Sequence, residues 1–147
     1  MKRPAGFTLV ELMVAVSIVL ILTAAFMFNL NPLRLRAYRA NAQGQGAAVV
    51  SALNAWARNN PASSLAAALQ TSGLPAASYT DAPASMPNPA NAVDCSVAGS
   101  LGGYSWPAAH PKVGCAAYAD TSSGFEVPAV LTWVRGDTVY YLNGVTP

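Results

Sequence analysis

An uninterrupted apolar run near the N-terminus constrains this chain more than any other feature. Residues 12–28 read LMVAVSIVLILTAAFMF and contain no charge, and the wider window from Phe7 to Leu30 holds one charged residue, Glu11. At a rise of 1.5 Å per residue, a helix over this window extends about 36 Å, and the hydrocarbon core of a bilayer is about 30 Å thick. The run therefore predicts a membrane-spanning helix.

Charges on either side of the run bear on its orientation. Lys2 and Arg3 precede it, and a short basic N-terminus favours retention of that end in the cytoplasm. Arg34, Arg36 and Arg39 follow on the far side and weaken a simple positive-inside count. These arginines can extend toward lipid headgroups or face acidic groups on a partner. We predict that the rest of the chain lies on the outer side of the membrane.

Three interpretations of the run assign different roles to Glu11. The run can be a secretory signal cut after Ala24 and Ala25, or a plain membrane anchor, or a segment in which the carboxylate has a function. A carboxylate in an apolar span costs about 2.5–3.5 kcal/mol near the bilayer centre and less toward the interface. Neither of the first two interpretations uses that charge, so Glu11 is a candidate functional residue that requires a partner.

The residues from Gly6 to Val14, GFTLVELMV, resemble the prepilin signature of type IV pilins and of the pseudopilins of type II secretion. The resemblance implies that a membrane peptidase cuts after Gly6 and methylates the new terminal amine on Phe7. It also implies that Glu11 pairs with the terminal amine of a neighbouring subunit. Such a pair favours assembly in register, because a carboxylate and an ammonium that are each costly in lipid neutralise one another. The resemblance is close over residues 1–30.

One position departs from the pattern of that family. Many of its members carry a helix-breaking proline near the end of the apolar run, where this chain has Phe28. Pro32 lies four residues later, so we predict a kink or local melting displaced toward Asn31.

Residues 31–60 read as an amphipathic helix that continues toward a globular head. Gly44 and Gly46 are predicted to soften this helix, and Asn60-Pro61 to end it. Apolar side chains recur at the spacing of one helical face, at Val49, Ala52, Leu53 and Trp56.

Residues 61–147 are predicted to form that head. A short capped helix follows Ser63-Ser64, and residues 75–92 form a proline-rich loop. A small antiparallel sheet covers the apolar helical face, with Arg135-Gly136-Asp137 as a hairpin turn and Pro128 marking a sheet edge or a break. The predicted strands are Val113–Tyr118, Phe125–Val134 and Thr138–Leu142. The expected fold is α+β and pilin-like, divided into 1–6 (leader), 7–30 (transmembrane or filament-core helix), 31–60 (amphipathic helix) and 61–147 (head).

Two cysteines, Cys95 and Cys115, enclose a 21-residue loop. In the oxidising compartment outside the membrane a disulfide is expected, and loop closure contributes about 3 kcal/mol. The bond would fasten the weakly structured stretch from Asp94 to Gly114 to the sheet. A reactive thiol is the alternative, with Lys112 as its only basic neighbour. Pilins of the resembled family often carry a disulfide around a loop near the C-terminus.

The residue content does not support catalysis, metal binding or DNA binding. His110 is the single histidine and no nucleophile elbow accompanies it, so catalysis is not expected. The acids lack the spacing of a calcium loop, although some pseudopilins bind calcium, and we expect no metal and no cofactor. From Asn60 onward the chain has two basic residues, Lys112 and Arg135, and five acidic ones, so the net charge of this part is 2 − 5 = −3. A negative net charge argues against the DNA binding that some minor pilins show.

These observations predict a structural subunit, a pilin or minor pilin, of a type IV pilus-like filament. A type II secretion pseudopilin, a DNA-uptake minor pilin, and a secreted or membrane-anchored binding module are the alternatives. The implied partners are the prepilin peptidase/N-methyltransferase, other pilin subunits and an inner-membrane assembly platform. The implied location is the inner membrane before assembly and a surface pilus or periplasmic pseudopilus afterward. The arginines of the helix are further predicted to face acids of another subunit.

Overall fold

A computed structural model describes residues 7–147, apart from the side chains of residues 28–30. The leader, with Gly6, lies outside the described residues. The chain divides into two compact units, with the boundary between Arg36 and Ala37.

The first unit consists of helical turns with no core of their own. Helix α1 runs Leu9–Asn59, and its turns before Ala37 belong to this unit. Every large apolar side chain from Phe7 to Met27 is at least half exposed. A helix that is apolar all round, with nothing packed on it, is suited to lipid or to other helices. Among the described residues, α1 is the one helix long and apolar enough to cross a membrane.

The sequence predicted a kink or local melting near Asn31; the melting is wrong, and the kink stays a prediction. Pro32 lies inside α1, and helical backbone continues on both sides of it. A proline removes one hydrogen bond from the helix, whereas the turns before and after it keep theirs. Here that loss is too small to end the helix.

The second unit packs α1 against a sheet and a short helix. The predicted apolar face of α1 is confirmed: Val49, Leu53 and Trp56 are buried, and Ala52 packs beside them. Helix α2, Leu65–Thr71, buries Leu65 and Leu69 against the same core. Ser64 caps α2 by accepting a hydrogen bond from the Ala67 amide, as the sequence predicts.

Six strands follow in two antiparallel sheets. The four-stranded sheet has the order β1-β4-β5-β6, and β2 pairs with β3 as a separate hairpin. The three predicted strands are present with small shifts of their ends, whereas β1 and the β2–β3 hairpin were not predicted. The Gly102-Gly103 pair, which is typical of a two-residue hairpin turn, is the signal that could have revealed the hairpin. The strands are β1 Val93–Asp94, β2 Gly99–Leu101, β3 Tyr104–Trp106, β4 Val113–Asp120, β5 Val127–Val134 and β6 Tyr140–Leu142.

Pro128 lies within β5 and does not break it. It pairs with Ala119 of β4 on one side, whereas β6 pairs only with residues 131–133 of β5. At Pro128 the strand is therefore locally an edge, where a missing amide proton is tolerated.

The far face of the sheet is covered by the proline-rich loop of residues 75–92. Met86 and Ala92 pack with Leu131 and Trp133 into a second apolar cluster. The Tyr79 ring stacks on the Trp133 indole with ring centroids 5.9 Å apart. The predicted loop thus covers the core that the helix does not reach.

Two glycines of α1, two residues apart, have opposite surroundings. A Cβ added at Gly46 would lie 2.9 Å from the backbone nitrogen of Gly144, whereas one added at Gly44 would meet nothing within 4 Å. Gly46 therefore serves close packing of α1 against the C-terminal turn, which the expectation of local softening missed.

We expect Gly44→Ala to stabilise the protein by about 0.5–1 kcal/mol, because alanine restricts the unfolded chain and favours helix. Gly46→Ala carries the same helical gain but should destabilise the protein by about 1–3 kcal/mol through overpacking. Urea denaturation of the two variants measures the difference directly. Equal stabilities would show that the turn at Gly144 moves aside without cost.

Candidate functional site

The first turn of α1 places the candidate assembly residue, Glu11. The Thr8 amide and the Thr8 hydroxyl each donate to the Glu11 Oε2 atom at 2.9 Å. The Glu11 amide in turn donates to the Thr8 hydroxyl at 3.3 Å. This reciprocal arrangement is a capping box, formed by threonine at the helix start and glutamate three residues later.

The capping box determines where the carboxylate lies. Glu11 extends back to Thr8 at the start of the helix, so its charge lies beside the partly positive helix terminus. Both described hydrogen bonds that the carboxylate accepts use Oε2, which leaves Oε1 open to a further donor. Thr8 was not predicted as a site residue, although the spacing Thr-x-x-Glu at the start of an apolar run is the signal for it.

Phe7, the expected new terminus, directly precedes this box. Its side chain is 84% exposed. The structure thus brings Phe7, Thr8 and Glu11 together at one end of an apolar helix, while Gly6 lies outside the described residues. The carboxylate at this end can accept a charge-assisted hydrogen bond from an ammonium group.

Residues 1–27 match the family model described as the prokaryotic N-terminal methylation motif. This is the signal motif of type IV pilins and pseudopilins, and the chain carries it. With a long apolar helix followed by a small antiparallel sheet, the fold is α+β and pilin-like. The class that carries this motif is structural and not enzymatic. Comparisons with curated proteins and with solved structures gave no significant match.

In the second unit, Cys95 and Cys115 form a disulfide with their Cα atoms 4.9 Å apart. Both side chains are buried, and Cys95 donates from its amide to the Cys115 carbonyl at 3.3 Å. The bond joins the residue after β1 to β4. The enclosed loop, expected to be weakly structured, instead holds the β2–β3 hairpin.

A buried glutamine attaches this loop to α1. The Gln45 side-chain nitrogen donates to the Cys95 carbonyl at 2.9 Å and to the Pro107 carbonyl at 3.0 Å. Gln45 is 6% exposed, and its hydrogen bond to Cys95 is buried, whereas the one to Pro107 is partly buried. The helix therefore binds the loop before and after the β2–β3 hairpin.

Arg39 and Asp137 form a two-bond ion pair within the chain. Arg39 Nε donates to Asp137 Oδ2 at 2.7 Å, and its Nη2 donates to Oδ1 at 2.9 Å. These hydrogen bonds lower the pKa of Asp137 below its ordinary value, although partial burial opposes the effect. The prediction that helix arginines face another subunit is therefore wrong for Arg39. The acid of the Arg135-Gly136-Asp137 turn has an internal role.

The remaining polar candidates also have local roles. Glu126 accepts from the Ser64 hydroxyl at 2.8 Å and from the Leu65 amide at 2.5 Å, so it supports the start of α2. The bond from Ser64 is the main cause of a lowered Glu126 pKa. His110 packs against Tyr38 with ring centroids 4.9 Å apart. Within residues 7–147 there is no cluster of three metal-binding side chains.

Proposed function

We propose that this protein is a structural subunit, a pilin or minor pilin, of a type IV pilus-like filament. The observation that carries the proposal is the methylation motif at residues 1–27 on a helix whose membrane-length window is 0% buried. An apolar surface of that length requires lipid or other helices to cover it. The motif itself is common to pilins and pseudopilins, so the choice of filament is part of the proposal.

The proposed pathway uses the candidate residues in order. The chain is held in the inner membrane by α1, with its second unit on the outer side. Prepilin peptidase cuts after Gly6 and methylates Phe7. The methylated ammonium of one subunit then pairs with the Glu11 carboxylate of its neighbour as the apolar helices bundle. An assembly platform in the membrane and further pilin subunits are the proposed partners.

The helical capping box supports this pathway. It holds the Glu11 carboxylate beside Thr8, which lies three residues nearer the start of the chain. A charge so placed lies closer to the membrane interface, where its insertion costs less. Its open Oε1 remains available to a neighbouring amine.

The intact mass and N-terminal sequence of protein extracted from membranes of its native cells test the pathway. We expect a chain that starts at N-methylated Phe7. Gly6→Val is the matched control and should leave the leader attached, because the bulky side chain hinders cleavage. A chain that starts near Phe26 would make this an exported domain and overturn the proposal.

A further inference from the structure

Two exposed cations lie together at the end of the second unit where α1 enters it. Lys112 precedes β4 and Arg135 follows β5, and the Arg135 amide donates to the Lys112 carbonyl at 2.8 Å. Both side chains are exposed, and neither has an ion-pair partner among the described residues. We call Lys112 and Arg135 the basic rim.

Two separate contacts fix the basic rim against the first turns of α1 in this unit. The Lys112 amide donates to His110 Nδ1 at 3.1 Å, and the His110 ring lies against Tyr38. On the other side, Asp137 binds Arg39. The backbone before β4 and after β5 is thus held at residues 38–39 of the helix.

The acidic residues near the basic rim do not neutralise its positive charge. Asp137 is neutralised by Arg39. Asp81 approaches through its backbone carbonyl, which accepts from the Gly136 amide at 3.1 Å, and its exposed carboxylate forms no described ion pair. The basic rim therefore stands out in a head whose overall balance is negative.

The chain connects the basic rim closely to the apolar run. Tyr38 follows Leu33, an exposed apolar residue of α1, by five residues. Five residues span about 8 Å as helix and at most about 18 Å when fully extended. The field of charged lipid headgroups decays over about 8–10 Å. Residues 33–38 are helical, and at the helical span residues held at Tyr38 lie within that field when the run is in a bilayer.

We propose that the basic rim is a docking surface for anionic phospholipid headgroups in the membrane-anchored subunit. The proposal rests on the membrane anchoring proposed above. Lys112 and Arg135 attract lipid phosphates electrostatically, which holds the second unit near the membrane surface before assembly. Each cation beside such a surface contributes attraction that changes lipid preference by about twofold to fivefold. Their structural contacts use backbone atoms, so side-chain substitutions leave the fold intact.

The test reconstitutes the full chain in phosphatidylcholine vesicles with spin-labelled phosphatidylglycerol or spin-labelled phosphatidylcholine. We expect the wild type to prefer the anionic probe, and Arg135→Gln and Lys112→Gln each to reduce that preference about twofold to fivefold. Arg58→Gln is the matched control. It removes another exposed arginine, which has no ion-pair partner within residues 7–147, from the last turn of α1, about 29 Å along the helix axis from Arg39, and should have no effect.

Other outcomes would overturn the proposal in distinguishable ways. If Lys112→Gln and Arg135→Gln behave like Arg58→Gln in a chain that resists alkaline extraction, the docking surface is wrong and the anchoring stands. If alkaline carbonate releases the chain from vesicles, both proposals fall. If inorganic phosphate displaces the anionic probe more than chloride does at equal ionic strength, the site binds free phosphate and the lipid assignment is wrong.

Discussion

Replacing Glu11 with leucine is expected to abolish filament assembly while the subunit remains in the membrane. Removal of one partner from a buried charge pair leaves the other charge uncompensated, at a cost of about 3–5 kcal/mol. At each subunit contact this corresponds to a loss of more than about a hundredfold in association. Insertion itself should improve, because leucine avoids the cost of a carboxylate in lipid. Sheared-filament yield, compared with subunit retained in the membrane, measures the effect.

The capping box supplies a second explanation that the experiment must separate from the first. Glu11 also accepts two hydrogen bonds from Thr8, and their loss alone costs about 0.5–2 kcal/mol of helix stability. Glutamine at position 11 can keep the capping box without the charge. Valine at position 8 removes the hydroxyl of the box and keeps the charge.

The four chains therefore give opposite patterns under the two explanations. If the charge drives assembly, Glu11→Gln fails as Glu11→Leu does, and Thr8→Val assembles nearly as the wild type. If only helix capping matters, Glu11→Gln assembles normally and Thr8→Val is impaired. The second pattern would remove the proposed pairing of Glu11 with a neighbouring amine.

Replacing both Cys95 and Cys115 with alanine is expected to lower the free energy of unfolding by about 3 kcal/mol. The bond closes a loop with a sequence separation of 20, and its loss returns that entropy to the unfolded chain. Both sulfurs are buried, so lost packing adds to the effect. For a unit of this size the thermal midpoint should fall by more than about 10 °C.

Reducing agent provides the internal control for that measurement. It should lower the stability of the wild type to near that of the double variant and leave the double variant unchanged. Hydrogen exchange should locate the loss in the β2–β3 hairpin, because the disulfide fastens the loop that contains this hairpin to β4. Equal midpoints for wild type and variant would show that packing alone holds the loop.

The hydrogen-bond partners of two acidic residues could not be predicted from the sequence. The sequence predicts Asp137 as one residue of a tight turn and assigns no individual role to Glu126. Their partners Arg39 and Ser64 lie 98 and 62 residues away in sequence. A local sequence pattern cannot predict contacts between residues so far apart, because these contacts depend on how the strands and helices pack together.

The β2–β3 hairpin was missed for a different reason. Its strands are only three residues each, too short for alternation to stand out. Leu101 and Trp106 become buried because they meet Trp56 and its neighbours on α1. The hairpin is thus stabilised by tertiary packing more than by its own sequence.

The sequence by itself determined the features that depend on local periodicity and composition. These are the apolar run with its single carboxylate, the apolar face of α1, the capped start of α2, and three of the strands. Each follows from residues within one or two turns of one another, where propensity and hydrophobic spacing act directly. Only the tertiary structure decided the internal pairing of Arg39, the packing that requires Gly46, and the position of the basic rim. Those features arise from contacts between segments far apart in the chain, whose meeting depends on the whole fold.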